Sequence, residues 1–158
     1  SKRNLKMNNI HIDYMNEAII EAKIGLDEGG IPIGSVIVYK DKIIGRGHNQ
    51  RVQNSNPLMH GEMDAFQNAG RLDTLVYKEC TIYSTLSPCI MCSGTIVHYK
   101  IPLLVIGENE TVKDTTFCED FLIENKTKII NLDLNECKSM MNSFIENNEK
   151  LWFEDISI

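Results

Sequence analysis

No apolar run in this sequence approaches the roughly 18–20 residues that a bilayer-crossing helix needs. The opening stretch, SKRNLKMNNIHIDY, lacks the apolar h-region of a secretory leader and reads as a short, frayed lead-in over residues 1–10. Positive charge is not in excess: 16 Lys and Arg stand against 22 Asp and Glu, a formal net charge of -6. Proteins that grip nucleic acid present a basic face to the phosphates, so this balance favours a small neutral substrate over tRNA or single-stranded DNA. The cysteine count is not even: the five are Cys80, Cys89, Cys92, Cys118 and Cys137. An odd count without a leader argues against a disulfide framework and suits a reducing cytoplasm. Internal repeats, low-complexity tracts and long linkers are also missing. What remains is 158 residues, 42% hydrophobic and 24% charged, enough for one soluble domain with a real core.

Apolar residues at Ile12, Met15, Ile19, Ala22 and Leu26 recur at spacings of three and four, which predicts a helix over 12–28. Gly29-Gly30 ends it and Pro32 blocks its continuation. Residues 33–39 and 42–47 read as two strands joined by a tight turn at Lys40-Asp41. A polar loop follows over 49–56, then a helix from Pro57 or Leu58 to Asn68, stopped by Gly70. Residues 81–85 form a β-branched strand, Ser87-Pro88 a break, and 89–99 a third helix. The run at 103–107 is continuously apolar, as in a strand buried on both faces. Beyond an irregular stretch at 109–116, the pattern gives a short helix (117–124), a strand (128–131), a helix (134–146) and a terminal Leu-Trp-Phe-Glu-Asp-Ile. A hairpin followed by alternating helices and strands implies a mixed sheet with helices on both faces.

Three features carry chemistry: His60-Gly61-Glu62, Pro88-Cys89-Ile90-Met91-Cys92, and Asn49 in the loop after the second strand. Cys89 and Cys92 lie three apart at a helix start, so both sulfurs face one side of the first turn. The positive end of that helix favours thiolate, the form that binds metal. His60 sits near the start of another helix, and two helix starts at one sheet edge can meet. A His-Cys-Cys set leaves the fourth position open for a water, the pattern of a catalytic zinc site. Glu62 is too near His60 to be an obvious fourth ligand but is placed to reach that water. Two thiolates leave zinc with little residual charge, so a carboxylate that takes the proton makes up the deficit. A lone CxxC also fits a redox pair, and His48 could complete a four-ligand structural site. The redox pair needs neither His60 nor Glu62, and a structural site has no use for a non-ligand acid. His48 is expected as a loop residue holding backbone, and His11 and His98 as surface or helix-face residues. Cys80, Cys118 and Cys137 are expected to be ordinary thiols.

The motif H-x-E…P-C-x-x-C is the signature of zinc-dependent base deaminases. Gly30-Ile31-Pro32-Ile33-Gly34, Gly45-Arg46-Gly47-His48-Asn49, Ser87-Pro88-Cys89, Met91-Cys92-Ser93-Gly94 and Trp152-Phe153-Glu154-Asp155-Ile156 extend the likeness. From about residue 10 to the end, the chain resembles the fungal cytosine deaminases. The resemblance implies a three-layer α/β/α sandwich around a central mixed five-stranded sheet, the cytidine deaminase-like fold, paired as a homodimer. It implies one zinc ion on His60, Cys89 and Cys92, with Glu62 as proton shuttle. Asn49 and Asp155 would hydrogen-bond the base, the Gly61 and Cys89 amides would help hold it, and Ile33, Leu86 and Trp152 would wall the pocket. Residues 150–158 would close it. The implied reaction is hydrolysis of free cytosine to uracil and ammonia, with 5-fluorocytosine as a further substrate, in the cytoplasm or nucleus. Guanine and tRNA adenosine deaminases share the two short motifs. One departure stands out: the fungal enzymes place a lid phenylalanine soon after Gly-Glu-Asn, whereas Gly107-Glu108-Asn109 is followed by Glu110, Thr111 and Val112. Either Phe117 reaches back, or Val112 does a smaller version of the job and Phe117 packs in the core.

Overall fold

The computed structural model describes residues 1–113 and 115–158. Asp114, within the stretch expected to be irregular, lies outside the described residues. The chain runs α1 (Lys2–Asp27), β1 (Gly34–Tyr39), β2 (Lys42–His48), α2 (Arg51–Asn54), α3 (Gly61–Ala69), α4 (Thr74–Tyr77) and β3 (Cys80–Ser84). It continues with α5 (Ile90–His98), β4 (Leu103–Ile106), α6 (Thr115–Glu124), β5 (Lys128–Asn131), α7 (Asn135–Asn147) and α8 (Glu149–Asp155).

The five strands form one sheet in the order β2-β1-β3-β4-β5. β1 pairs antiparallel with both β2 and β3, while β3–β4 and β4–β5 are parallel. The hairpin turns through Lys40 and Asp41 at φ 47° and 62°, the double positive-φ geometry whose twist suits a two-residue connection. Alternation along the strands sorts the core into two faces. Val36, Val38, Tyr83 and Val105 pack under Met15, Ala18 and Ile19 of α1 and Cys137 of α7. Ile37, Ile82, Leu104 and Ile106 pack under Ala65 of α3, Ile96 of α5 and Leu122 of α6. Helices therefore cover both sides, giving the expected α/β/α sandwich.

α3 can lie close on β2 because two strand positions have no side chain. A Cβ on Gly47 would come within 2.5 Å of the Ala65 backbone nitrogen, and one on Gly45 within 2.4 Å of the Ala65 carbonyl oxygen. That contact sets where α3 begins, and hence where His60 stands. A third apolar cluster joins Ile31, Ile33 and Leu86 to Met141, Phe144 and Trp152, tying α7 and α8 to the loops at the carboxyl end of the parallel strands.

Several expectations need correction. The lead-in is helical: α1 starts at Lys2, capped by the Ser1 side chain, although residues 1–10 are exposed along their whole length. The pattern missed this because the first turns have no apolar face to bury. The loop at 49–56 holds the short α2, and the expected second helix starts later, at Gly61. His48 ends β2 rather than sitting in a loop. Its backbone N–H donates to Asp64, and its buried ring lies 3.1 Å from Glu21 and 2.7 Å from Glu28. The ring thus bridges β2 to two carboxylates of the first helical segment, and both raise its pKa against the opposing effect of burial.

Candidate active site

α3 and α5 begin at the same sheet edge with unusual capping residues. His60 is the N-cap of α3 and Cys89 the N-cap of α5, both in extended conformation; the His60 side chain makes no bond to its own helix, whereas the Cys89 sulfur accepts from Cys92. An ordinary N-cap spends its side chain on the first turn's orphan N–H groups. Here the two side chains face each other, with Cys89 Sγ 3.5 Å from His60 Nδ1. Cys92, one turn into α5 and fully buried, completes the group: the ligand atoms of His60, Cys89 and Cys92 lie within 4.8 Å of one another. Zn–S and Zn–N bonds of about 2.3 and 2.0 Å in tetrahedral geometry require ligand atoms roughly 3.5–3.8 Å apart. The His60–Cys89 separation meets this, and one nitrogen with two sulfurs suits zinc. The distal nitrogen, Nε2, lies 3.7 Å from Asp155, a partner that would orient the ring.

The electrostatics are those of a site assembled before its ion. A hydrogen bond from Cys92 and the nearby imidazole outweigh burial to bring the Cys89 thiol down to about 4. The same bond and burial push the Cys92 thiol well up. Burial alone would lower His60, but the bond to Cys89 and the charges of Asp155 and Glu62 raise it to about 9. Glu62, in the first turn of α3 and 3% exposed, is pushed up to about 7 by burial and by the Cys89 thiolate, against the pull of His60. In the metal-free protein Glu62 therefore holds its proton more tightly than an ordinary carboxyl.

Above this cluster opens a cavity of about 660 Å³. His60, Gly61, Glu62 and Cys89 line its floor, and Asn49 and Asp155 line one side. Ile33, Leu86 and Trp152 contribute apolar walls from the third core cluster. Every candidate residue from the sequence except the deeper Cys92 thus faces one space. Asn49 is fully buried; its Oδ1 accepts from the Arg51 backbone N–H and its Nδ2 donates to Asp155 at 3.3 Å. Val112 packs against the apolar cluster that includes Trp152. Phe117, 67% exposed in the first turn of α6, is not a core residue; it stands at the cavity mouth.

Sequence reasoning missed three participants. Arg51 lines the cavity and reaches Asp155, yet no spacing rule marks it beyond its nearness to Asn49. The Ser87 hydroxyl, in the quoted Ser-Pro-Cys, is buried at the cavity without a hydrogen-bond partner among the described residues. Glu108, fully buried, accepts from the 110 and 111 amides and from the Thr111 hydroxyl, fixing the turn that delivers Val112. The intact Gly-Glu-Asn was the available signal for that role.

This fold and this site, a three-donor metal set with a buried acid beside it, define the class of zinc-dependent deaminases. Residues 8–108 match the family described as cytidine and deoxycytidylate deaminase zinc-binding region, and the chain belongs to that family. It is 46% identical over 140 residues to the cytosine deaminase of Candida albicans, covering 88% of this chain and 91% of that protein. It is 34% identical over 145 residues to a tRNA-specific adenosine deaminase of Buchnera aphidicola, covering 87% and 90%. A guanine deaminase from Nitrosomonas europaea superposes with a TM-score of 0.67 over 83% of this chain and 82% of that one, at 14% identity, which speaks for the fold alone.

Proposed function

We propose that this protein hydrolyses free cytosine to uracil and ammonia, with one zinc ion per chain held by His60, Cys89 and Cys92. The observation that carries the reading is Glu62: a buried, non-ligating carboxylate beside the donor set, open to the same cavity as Asn49 and Asp155. When bound, zinc supplies Lewis acidity that eases deprotonation of water. Glu62 accepts the proton of the attacking water, delivers it to ring nitrogen N3 as C4 is attacked, then takes the proton of the new C4 hydroxyl and hands it to the amino group, which leaves as ammonia as C4 becomes a carbonyl. A buried carboxyl whose proton affinity is raised by its surroundings can both take and return a proton, as a shuttle requires. Asp155 accepts from N1–H, Asn49 meets the ring's polar edge, and the Gly61 and Cys89 amides hold the base in register. Ile33, Leu86 and Trp152 sandwich the ring, while Val112 and Phe117 stand over the entrance. Fixing base and acid in contact removes the entropy of bringing them together.

The N1–H contact selects free bases, because that nitrogen carries the sugar in a nucleoside. The same pocket takes 5-fluorocytosine. The reading includes pairing as a homodimer, for which exposed Leu58 and Ile90 beside the cavity offer apolar surface, and a reducing, cytoplasmic setting for the five free thiols. An ammonia-release panel over cytosine, cytidine, guanine and adenine tests the substrate, with rapid turnover expected on cytosine alone. Equal rates on cytosine and cytidine refute it. Sedimentation of the zinc-loaded chain tests the pairing.

A further inference from the structure

Arg51 holds together both side chains assigned to the substrate's polar edge. Its backbone N–H donates to Asn49 Oδ1 at 3.1 Å, which turns the amide so that Asn49 Nδ2 points to Asp155. Its guanidinium crosses to α8, where Nη1 donates to Asp155 at 3.2 Å and Nη2 lies 3.5 Å from Glu154. The Arg51 side chain is only 11% exposed and that of Asp155 only 4%, whereas Glu154 is 65% exposed. The Arg51–Asp155 pair is thus the desolvated one, and the Glu154 contact is shared with water. Nε is buried without a partner among the described residues, so the two acids are the guanidinium's anchors there. The base of the arm is itself pinned: Gln53 of the same short helix donates to the carbonyl of Gly25 and to Glu28, tying α2 to the first helical segment.

Apolar packing of Trp152 accounts for α8 lying on the body of the protein. It does not account for the aim of Asp155, which is polar and lies three residues further on. We infer that Arg51 is the positioning residue of this site: it ties the last turn of α8 to the loop after β2 and sets the Asp155 and Asn49 side chains toward one substrate edge. The inference rests on the reading of a free base in this cavity for its kinetic consequence, but not for its structural one.

The test compares zinc-loaded, full-length Arg51→Ala, Arg51→Lys, Asp155→Ala and the double variant Arg51→Ala/Asp155→Ala with the parent. Without any ligand, amide hydrogen exchange over residues 153–158 should accelerate about 10-fold or more in Arg51→Ala while the central strands keep parent rates. With cytosine, KM should rise roughly 10- to 100-fold and kcat change by less than about 3-fold, as expected for lost binding rather than lost chemistry. In the Asp155→Ala background the same arginine change should add less than about 2-fold to KM, because the arginine acts through that carboxylate. Arg51→Lys, which keeps the charge but not the fork, should recover part of both effects. Parent-like exchange with an unchanged KM overturns the inference, as do Arg51 and Asp155 effects that multiply in the double variant. If the parent releases no ammonia from cytosine, the substrate reading fails and the exchange measurement still decides the role of Arg51.

Discussion

Replacing Glu62 by glutamine should make the metal-free protein more stable while ending its turnover. Glu62 is fully buried, and its carboxyl is raised from an ordinary 4.5 to about 7. A group whose folded pKa is raised costs nothing below its unfolded pKa and progressively more as pH rises through the folded value. Here the penalty begins near pH 4.5, is complete above about pH 7, and amounts to about 3 kcal/mol at 1.36 kcal/mol per unit. Glutamine keeps the shape without the charge, so at pH 8 the metal-free variant should unfold roughly 6–10 °C higher than the parent. At pH 4 the parent carboxyl is protonated in both states, and the gap should shrink to within about 1 kcal/mol. Zinc beside the carboxylate offsets its desolvation, so loading the metal should narrow the pH 8 gap as well. Calorimetry of chelator-treated and zinc-loaded protein at both pH values reads all of this. Ammonia release from the zinc-loaded variant should fall by orders of magnitude with zinc still bound. A variant no more stable than the parent at pH 8, or stabilised equally at pH 4, would mean that Glu62 carries no such penalty.

Zinc affinity should climb with pH: His60 at about 9 and the raised Cys92 thiol both hold protons at neutrality, whereas Cys89 at about 4 does not. Competition titrations should therefore show about two protons released per ion near pH 8, rising toward three near pH 6 as Glu62 also gives up its proton, an affinity gain of roughly 100-fold or more per unit; release of one or none contradicts it. Gly47→Ala should cost about 2–3 kcal/mol in denaturant unfolding, because the new Cβ meets backbone at 2.5 Å, an atom that no rotamer change can move. Phe117→Ala should leave stability within about 0.5 kcal/mol, since the ring is 67% exposed. Val112→Ala, which opens a gap against the cluster around Trp152, should cost about 1–2 kcal/mol of stability in denaturant unfolding and raise KM for cytosine.

The sheet was legible because burial leaves a period: Val36 and Val38 face one layer, Ile37 the other, and the alternation is visible in the letters. The first turns of α1 were not, since a helix with no buried face has nothing periodic to show. His60, Glu62, Cys89 and Cys92 could be picked out by residue type and spacing, and the structure does bring them to one place. Arg51 could not. Its partner lies 104 positions away, and nothing near it in the chain distinguishes it from an arginine on a solvated loop. Phe117 was legible only in part: the letters left core and lid both open, and its 67% exposure removes the core alternative while leaving it at the cavity mouth.

The local energetics explain why the donor set would be tied to folding. α3 starts on a residue whose side chain does not cap it, at a cost of about 1 kcal/mol relative to a Ser or Asp cap. Glu62 adds its desolvation penalty a turn away, and the third donor is buried as a thiol in a pocket with two other titrating groups. Each feature runs against stability when taken alone. A divalent cation between His60 and the two sulfurs would offset the last two, because thiolate, neutral imidazole and carboxylate are then the favoured forms. What looks like local frustration at one sheet edge would therefore couple metal affinity to the stability of the fold. Chelation should therefore lower the unfolding temperature of the parent more than that of Glu62→Gln, since the variant has already shed the largest of these penalties.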